Sequence, residues 1–316
     1  MSRLIYVPQY PAPMRYQEWW INEFTKEFKK EYDEVIVLGS NYLFKTRLTR
    51  QSTDMFSPIN EAINLETIQM NDYMSLNIRD DDTLFLADIS FPGLFCNVLY
   101  HKRCPKMYAF CHATSLNKYD YFTSIRNYKS KNEKIHASMF DTIFFGSEYS
   151  MNKTGWKNGI VTYLPKPPEN IISNTKEEKV INIISVCRPN IQKTNSKLEK
   201  HIEKTLGIKI HREEVNTWFE YSSLLSKSKI NLISSKEDTF NYSIMDSIRC
   251  GCIPIVPNTL CFPEILPRWW RYDNGYELII KLKQTLHTND FELPEMFCEN
   301  QVNNFFKNMI EIMVKS

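Results

Sequence analysis

The sequence predicts an α/β chain built from two parallel-sheet domains that face one another across a cleft. Three observations carry that expectation. At 316 residues the chain is about twice the length of a common single domain. Short apolar runs of strand length alternate with helical patterns along most of the chain, an order that gives a parallel sheet covered on both faces. The alternation pauses once, at KPPENIISNTKEEK (166–179), whose Pro, Asn and charge read as a linker.

The elements follow in order. LIYVP (4–8) reads as a first strand and residues 15–32 as an amphipathic helix, with Trp19, Trp20, Phe24 and Phe28 on a core-facing stripe. EVIVLG (34–39) is a second strand closed by Gly39, and TLFLAD (83–88), KMYAFCH (106–112), TIFFGS (142–147) and GIVTYLP (159–165) follow as further strands with helices between them. After the linker, VINIISVCR (180–188), GIKIHRE (207–213), KINLISS (229–235) and IPIVP (253–257) form a second strand set, with helices from Ser196, across 218–226 and at YSIMDSIRC (242–250). The expected divisions are an N-terminal Rossmann-like domain over 1–165, the linker, a C-terminal Rossmann-like domain over 180–290, and a final helix within 291–316 packing back toward the first domain.

Composition excludes several classes. A net charge of +2, near-balanced in both halves, gives no global field for nucleic acid or membrane. No run approaches the ~18 apolar residues of a membrane span, and MSRLIYVPQYPAP lacks a signal-peptide core, so a cytoplasmic location is expected (host cytoplasm, were the chain viral). The eight cysteines and six histidines show no metal-ligand spacing, so buried reduced thiols and no metal or other cofactor are expected; Asp80, Asp81 and Asp82 read as a solvated turn. With 8 glycines and no GxGxxG or GxxxxGK[ST], phosphate would have to be held by helix N-termini and basic side chains.

One stretch concentrates chemistry. In EDTFNYSIMDSIRCGCIPIVPN (237–258), Asp238 lies in the loop leaving KINLISS and Asp246 about a turn into the next helix. Ligands of open α/β sheets bind at such strand ends, where free amides at a helix start suit phosphate. Taken alone, the two carboxylates read better as a residue near an N-cap and a solvated helix residue than as ligand contacts. They are joined by Arg188, ending another strand, and Lys193 five positions on, two cations able to neutralise a diphosphate without metal.

The DTFNYSIMDSIRCGCIPIVP segment with FPEILP (262–267) resembles the donor site of the retaining GT-B glycosyltransferases (glycosyl transferases group 1 type): a carboxylate, seven residues, a second carboxylate, a small helix and a Gly-x-Pro or Gly-x-x-Pro. GCIPIVPNTLCFPEILP is especially similar to the branch of tRNA-queuosine mannosyltransferases, and the Arg188–Lys193 spacing to the group's phosphate-binding pair. The motifs cover residues 185–267; the N-terminal half matches in architecture and in its CHATS segment. The chain departs from the group in having Asp for both carboxylates, and Thr239 and Asn241 where the group has glycines. Glu237 competes with Asp238 for the first carboxylate role.

The resemblance implies a GT-B fold and transfer of a sugar from a nucleotide-sugar co-substrate to an acceptor hydroxyl, with retention and without metal. Arg188 and Lys193 would stabilise the leaving diphosphate and Asp246 bind the ribose. Asp238 or Glu237 would bind the sugar, and the amides of Asn241, Tyr242 and Ser243 would face the diphosphate. His112, in FCHATS, would sit by the transferred sugar, or else is a satisfied buried histidine. Arg15 and Tyr16, in the first strand-to-helix loop, are candidate acceptor contacts.

Two basic runs, FKTRLTR (Lys45, Arg47, Arg50) and RNYKSKNEK (Arg126, Lys129, Lys131, Lys134), fit a nucleic-acid surface or a solvated face. They tilt the acceptor toward a modified base in DNA or RNA, DNA favoured, and a viral DNA glycosyltransferase fits the compact length. A glycan, lipid or small-molecule acceptor is the alternative, and a non-catalytic two-domain receptor of periplasmic type the alternative from another class.

Overall fold

A computed structural model of the chain describes residues 2–11, 14–43, 57–89, 95–104, 106–119, 126–172, 177–186, 193–213, 215–288 and 292–315. The chain divides into two compact units, one of Met1–Asn117, Tyr121–Leu164 and Asn304–Ser316, the other of Lys118–Asp120 and Pro165–Asn303.

The first unit is a parallel six-stranded sheet. Its strands are β1 (Arg3–Val7), β2 (Glu34–Val37), β3 (Thr83–Leu86), β4 (Lys106–Cys111), β5 (Thr142–Phe145) and β6 (Gly159–Val161), in the order β2-β1-β3-β4-β5-β6. The helices are α1 (Gln17–Phe28), α2 (Ser40–Leu43), α3 (Ser57–Ser75), α4 (Phe95–Arg103), α5 (Arg126–Ala137) and α6 (Glu148–Thr154). The central strands β1, β3, β4 and β5 are short, mostly apolar runs because both their faces are buried. Ile5, Val7, Leu84, Leu86, Met107, Ala109, Ile143 and Phe145 point to one face. The alternate residues build an aromatic layer on the other, where Tyr6, Phe24, Phe28 and Phe85 pack with ring centroids 5.3–5.9 Å apart. The last helix of the chain covers this layer: the Phe306 ring lies 5.0 Å from Phe24, and the Tyr108 hydroxyl donates to the Met313 carbonyl at 3.3 Å.

Asp82 departs from the solvated turn read for residues 80–82. It is fully buried, and its two oxygens accept from Arg3 Nε at 2.8 Å and Nη2 at 2.5 Å. The turn places Asp80 and Asp81 in solvent, but the step into β3 carries Asp82 inward beside β1, where the Arg3 guanidinium neutralises it.

The second unit holds β7 (Ile181–Ile184), β8 (Ser228–Leu232), β9 (Ile253–Pro257) and β10 (Arg271–Tyr272), all parallel, in the order β10-β9-β8-β7. Its helices are α7 (Ser196–Leu206), α8 (Trp218–Ser226), α9 (Tyr242–Arg249), α10 (Phe262–Ile265), α11 (Gly275–His287) and α12 (Glu299–Asn303); α13 (Phe305–Lys315) belongs to the first unit. Ile183, Ile230, Leu232, Ile253 and Ile255 bury one face with Ile202, Leu278 and Leu282. Ile184, Leu224, Leu225, Cys250 and Cys252 bury the other with Ile172.

The strand expected at 207–213 reduces to one parallel bridge, Ile184 with His211, on the side of β7 away from β8. Gly207 ends α7 with φ of 66°, and Glu203 takes the Ile210 amide at 3.0 Å, which leaves too few free backbone groups for a longer ladder. Residues 166–172 and 177–179 pack along this unit. Arg249 Nη1 donates to the Pro167 carbonyl at 2.6 Å, and Lys179 Nζ to that of Ser226 at 2.6 Å.

The topology gives each sheet one switch point. In the first sheet the strand order reverses between β1 and β3. In the second it reverses between β7 and β8, with His211 beyond β7. Open α/β sheets bind ligands at the carboxyl ends of the strands flanking such a switch point.

Candidate functional site

The segments leaving β7 and β8 meet at the second switch point. Residues 187–192, with Arg188, lie outside the described residues. The chain returns at Lys193, whose carbonyl accepts the Lys236 amide at 2.8 Å; Thr194 then pairs antiparallel with Ser235, and the Asn195 amide donates to the Ser234 carbonyl at 3.0 Å. Lys193 therefore stands beside the loop carrying Glu237 and Asp238. Asn195 also caps α7, accepting from the Leu198 amide at 3.3 Å, so the turn carrying Lys193 is set by a helix start.

Asp238 Oδ2 accepts from Asn241 Nδ2 at 3.0 Å, and Asn241 Oδ1 accepts the Ser243 amide at 3.0 Å. Asn241 has φ of 84°, a left-handed conformation that asparagine tolerates better than most non-glycine residues, which explains how it occupies a glycine position of the resembled motif. Its side chain takes the Ser243 amide and its carbonyl the Ile244 amide at 3.2 Å. Those two donors of the α9 start are thus already bonded, a correction to the expectation that the Ser243 amide faces a diphosphate. The Tyr242 ring stands edge-on to Phe240 at 6.2 Å. Glu237 is buried, and its Oε2 accepts the Lys118 amide at 3.0 Å, whereas Asp238 is half-buried at the loop surface.

Asp246 lies on the buried side of α9, 4% exposed, not on a solvated one. Oδ2 accepts from the Tyr221 hydroxyl at 3.0 Å, and Oδ1 has no hydrogen-bond partner among the described residues. Burial pushes its carboxyl up to about 7, opposed by the Tyr221 bond and by Arg249. Tyr221, on α8, is held by the Trp218 ring at 5.9 Å. Sequence reading missed Tyr221 because its partner is 25 positions away and on another helix.

A pH dependence follows. The folded state holds the Asp246 proton to about 7, while the unfolded chain releases it near the ordinary carboxylate value of roughly 4. Between those values the folded state binds more protons, so this group's contribution to stability falls as pH rises through the window. Urea denaturation at pH 4.5 and 7.5 is expected to show a smaller pH-dependent loss in Asp246→Asn than in the wild type. Equal losses in the two proteins would show that Asp246 ionises alike in both states.

In the first unit, His112 follows β4. Its Nε2 lies 3.1 Å from the Ala87 carbonyl, and the ring packs against Phe110, Tyr16 and Trp20 at 4.6, 4.7 and 4.7 Å. Burial pushes its pKa down to about 3, so the imidazole is neutral near pH 7, with the Nε2 proton on the carbonyl. Tyr16 thus touches His112, and Arg15 is half-buried in the turn that starts α1. At the first switch point Gln9 Nε2 donates to Asp88 Oδ2 at 2.6 Å, linking the exits of β1 and β3.

The basic runs fare differently. Lys45, Arg47 and Arg50 lie outside the described residues, as does the placement of the Arg126 side chain. Lys129 is not on a surface: its side chain is 8% exposed and pairs at 3.2 Å with Glu133, whose carboxylate also accepts the Ser115 amide at 3.0 Å. Helix periodicity puts Lys129 and Glu133 on one inward face of α5, while Lys131 and Lys134 face solvent. Among the described residues, no group of three or more His, Cys, Asp and Glu could hold a metal, and no helix is long and apolar enough to cross a membrane.

No family model matches the chain. A tRNA-queuosine alpha-mannosyltransferase of Drosophila melanogaster is 28% identical over 148 residues, a stretch covering 46% of this chain and 36% of that protein. Among solved structures, an alpha,alpha-trehalose-phosphate synthase (UDP-forming) from Burkholderia vietnamiensis aligns over all of both chains with a TM-score of 0.60 and 11% identity. A sucrose-phosphate synthase from Thermosynechococcus elongatus covers 100% of this chain and 94% of its own at TM-score 0.54 and 10% identity. An E. coli structure bound with UDP-2-fluoro glucose covers 99% and 96% at TM-score 0.56 and 11% identity. These likenesses show the fold: two parallel sheets flanked by helices, of the GT-B type.

Proposed function

We propose that the chain is a metal-independent, retaining glycosyltransferase that takes its sugar from a nucleotide-sugar donor, a UDP-sugar in the first instance. The observation carrying this reading is Asp246, a buried carboxylate at the second switch point whose Oδ1 has no protein partner among the described residues while Tyr221 fixes Oδ2. A buried acceptor without a donor is costly, and a ribose diol supplies the missing hydroxyl. Lys193, beside the same loop, and Arg188, in the preceding segment, would carry the charge of the diphosphate.

In the reaction the bond from the sugar anomeric carbon to the diphosphate oxygen breaks, and a bond to the acceptor oxygen forms on the same face. The acceptor proton passes to the departing phosphate oxygen, giving a glycoside and a nucleoside diphosphate. Lys193 and Arg188 stabilise the negative charge that grows on the diphosphate, which lowers the barrier without a covalent intermediate on the protein. Asp238 accepts from a sugar hydroxyl.

For the acceptor, a hydroxyl of a sugar, glycan or small molecule now has better support than DNA. The names of the trehalose-phosphate and sucrose-phosphate synthases point to sugar products, and the basic face proposed for nucleic acid loses Lys129 to the interior. A modified base in tRNA is the second reading, favoured by the match to the queuosine mannosyltransferase.

The test is a turnover screen over UDP-, GDP- and ADP-sugars with monosaccharide, glycan, tRNA and DNA acceptors, with and without EDTA. Release of UDP, unchanged by EDTA and raised by a sugar acceptor, is the expected result. Activity lost in EDTA and restored by magnesium or manganese would sink the metal-free mechanism. Stimulation by tRNA alone would select the second reading, and absence of turnover on every donor would leave a two-domain binding protein.

A further inference from the structure

Glu199, on α7, has no place in the chemistry above, yet it is 1% exposed and stands where the two donor-site segments begin. Its Oε1 accepts from the Ser185 hydroxyl at 3.1 Å and from the Ser234 hydroxyl at 2.6 Å. Its Oε2 accepts from Arg212 Nε at 2.9 Å, and Arg212 Nη1 reaches Glu203 at 3.0 Å. Ser185 is the first residue after β7, and Ser234 the second after β8. One carboxylate oxygen therefore joins the exits of the two strands that flank the switch point.

Stability alone does not explain this arrangement. The Glu199 side chain is 1% exposed but that of Arg212 is 40% exposed, so solvent weakens the pair while the carboxylate still bears its desolvation cost, and a well-packed apolar replacement at such a site is often as stable or more so. What an apolar group lacks is direction. Glu199 fixes two hydroxyls at one point, and the same two segments are tied again by the Asn195 amide on the Ser234 carbonyl at 3.0 Å. Ser185 is thus tied to Ser234 through Glu199, and Asn195, two positions after Lys193, is tied to Ser234 through the backbone. The loop with Asp238 departs from the same point.

We infer that Glu199 is a positioning residue for sugar transfer: through Ser185 and Ser234 it holds the exits of β7 and β8 together and so keeps Lys193 in register with the carboxylate loop. The inference rests on the proposed donor site. It predicts that removing the hydroxyls, with the Glu199–Arg212 pair left in place, loosens the turn at Lys193 without unfolding the unit.

The experiment compares wild type, Ser185→Ala/Ser234→Ala, Glu199→Gln and Ser234→Thr by amide hydrogen exchange and by steady-state kinetics. The double variant is expected to exchange faster across 193–195 and 235–241, with α7 and β8 protection unchanged. Its kcat should fall tenfold or more at near-constant acceptor KM; Glu199→Gln should follow it, and Ser234→Thr, which keeps a hydroxyl, should retain most of the rate. Exchange unchanged at 193–195 and 235–241, or raised uniformly with kcat tracking the folded fraction, would overturn the inference. Should wild type turn over no nucleotide sugar, faster local exchange in the double variant would still support the tie, and the failure would fall on the proposed function alone.

Discussion

Asp82→Ala is expected to destabilise the first unit by about 3–5 kcal/mol, the range for breaking one side of a buried ion pair. The reason is the set of groups it would strand. Arg3, its side chain 6% exposed, loses two bonds to the carboxylate and, among the described residues, keeps that from Nη2 to the Asn77 carbonyl at 2.7 Å. The Arg79 amide loses its acceptor at 2.8 Å as well. A buried guanidinium without its counter-ion cannot shed its proton, so the cost remains in the folded state. Arg3→Met/Asp82→Leu should recover much of the loss, because the charge and its partner leave together. Urea denaturation of the two single variants and the double completes a mutant cycle. Single losses below about 1 kcal/mol, or strictly additive ones, would show that the pair is solvated enough to matter little.

That pair also marks where sequence reading stops. Apolar runs identified most of both sheets because a parallel strand buried on both faces has little choice of residue. TLFL and TIFF have no other environment to satisfy. Charged residues carry no such constraint. Nothing local distinguishes Asp82 from Asp80 and Asp81; its partner is 79 positions away on β1. Lys129 looked like its neighbours for the same reason, and only the phase of α5 against Glu133 turns it inward. The carboxylate spacing around 238–246 was legible as a loop after β8 followed by a helix, since it is set by one loop and one helix. The contacts around it, Tyr221 on Asp246 and Glu199 on two serines, come from separate helices, and their pairing exists only once the sheet is assembled. The span 207–213 failed differently: its apolar alternation is real, but helix-end hydrogen bonds took the backbone groups that a strand requires.

Lys193→Ala is expected to lower kcat/KM for transfer by roughly 30- to 1,000-fold, about 2–4 kcal/mol of transition-state stabilisation, the size seen when one electrostatic group is removed from a preorganised site. Its effect on stability should be small. The turn around Lys193 is held by backbone, the Lys193 carbonyl to the Lys236 amide at 2.8 Å and the Asn195 amide to the Ser234 carbonyl at 3.0 Å, and alanine preserves both bonds. Charge on the diphosphate is greatest as the glycosidic bond breaks, so kcat should fall further than donor affinity. Lys193→Arg keeps the charge but presents a broader planar group, and should recover part of the rate. A Lys193→Ala variant with the wild-type melting temperature and kcat within threefold of normal would remove Lys193 from the diphosphate site. The charge stabilisation would then fall on Arg188, whose alanine variant tests it by the same assay.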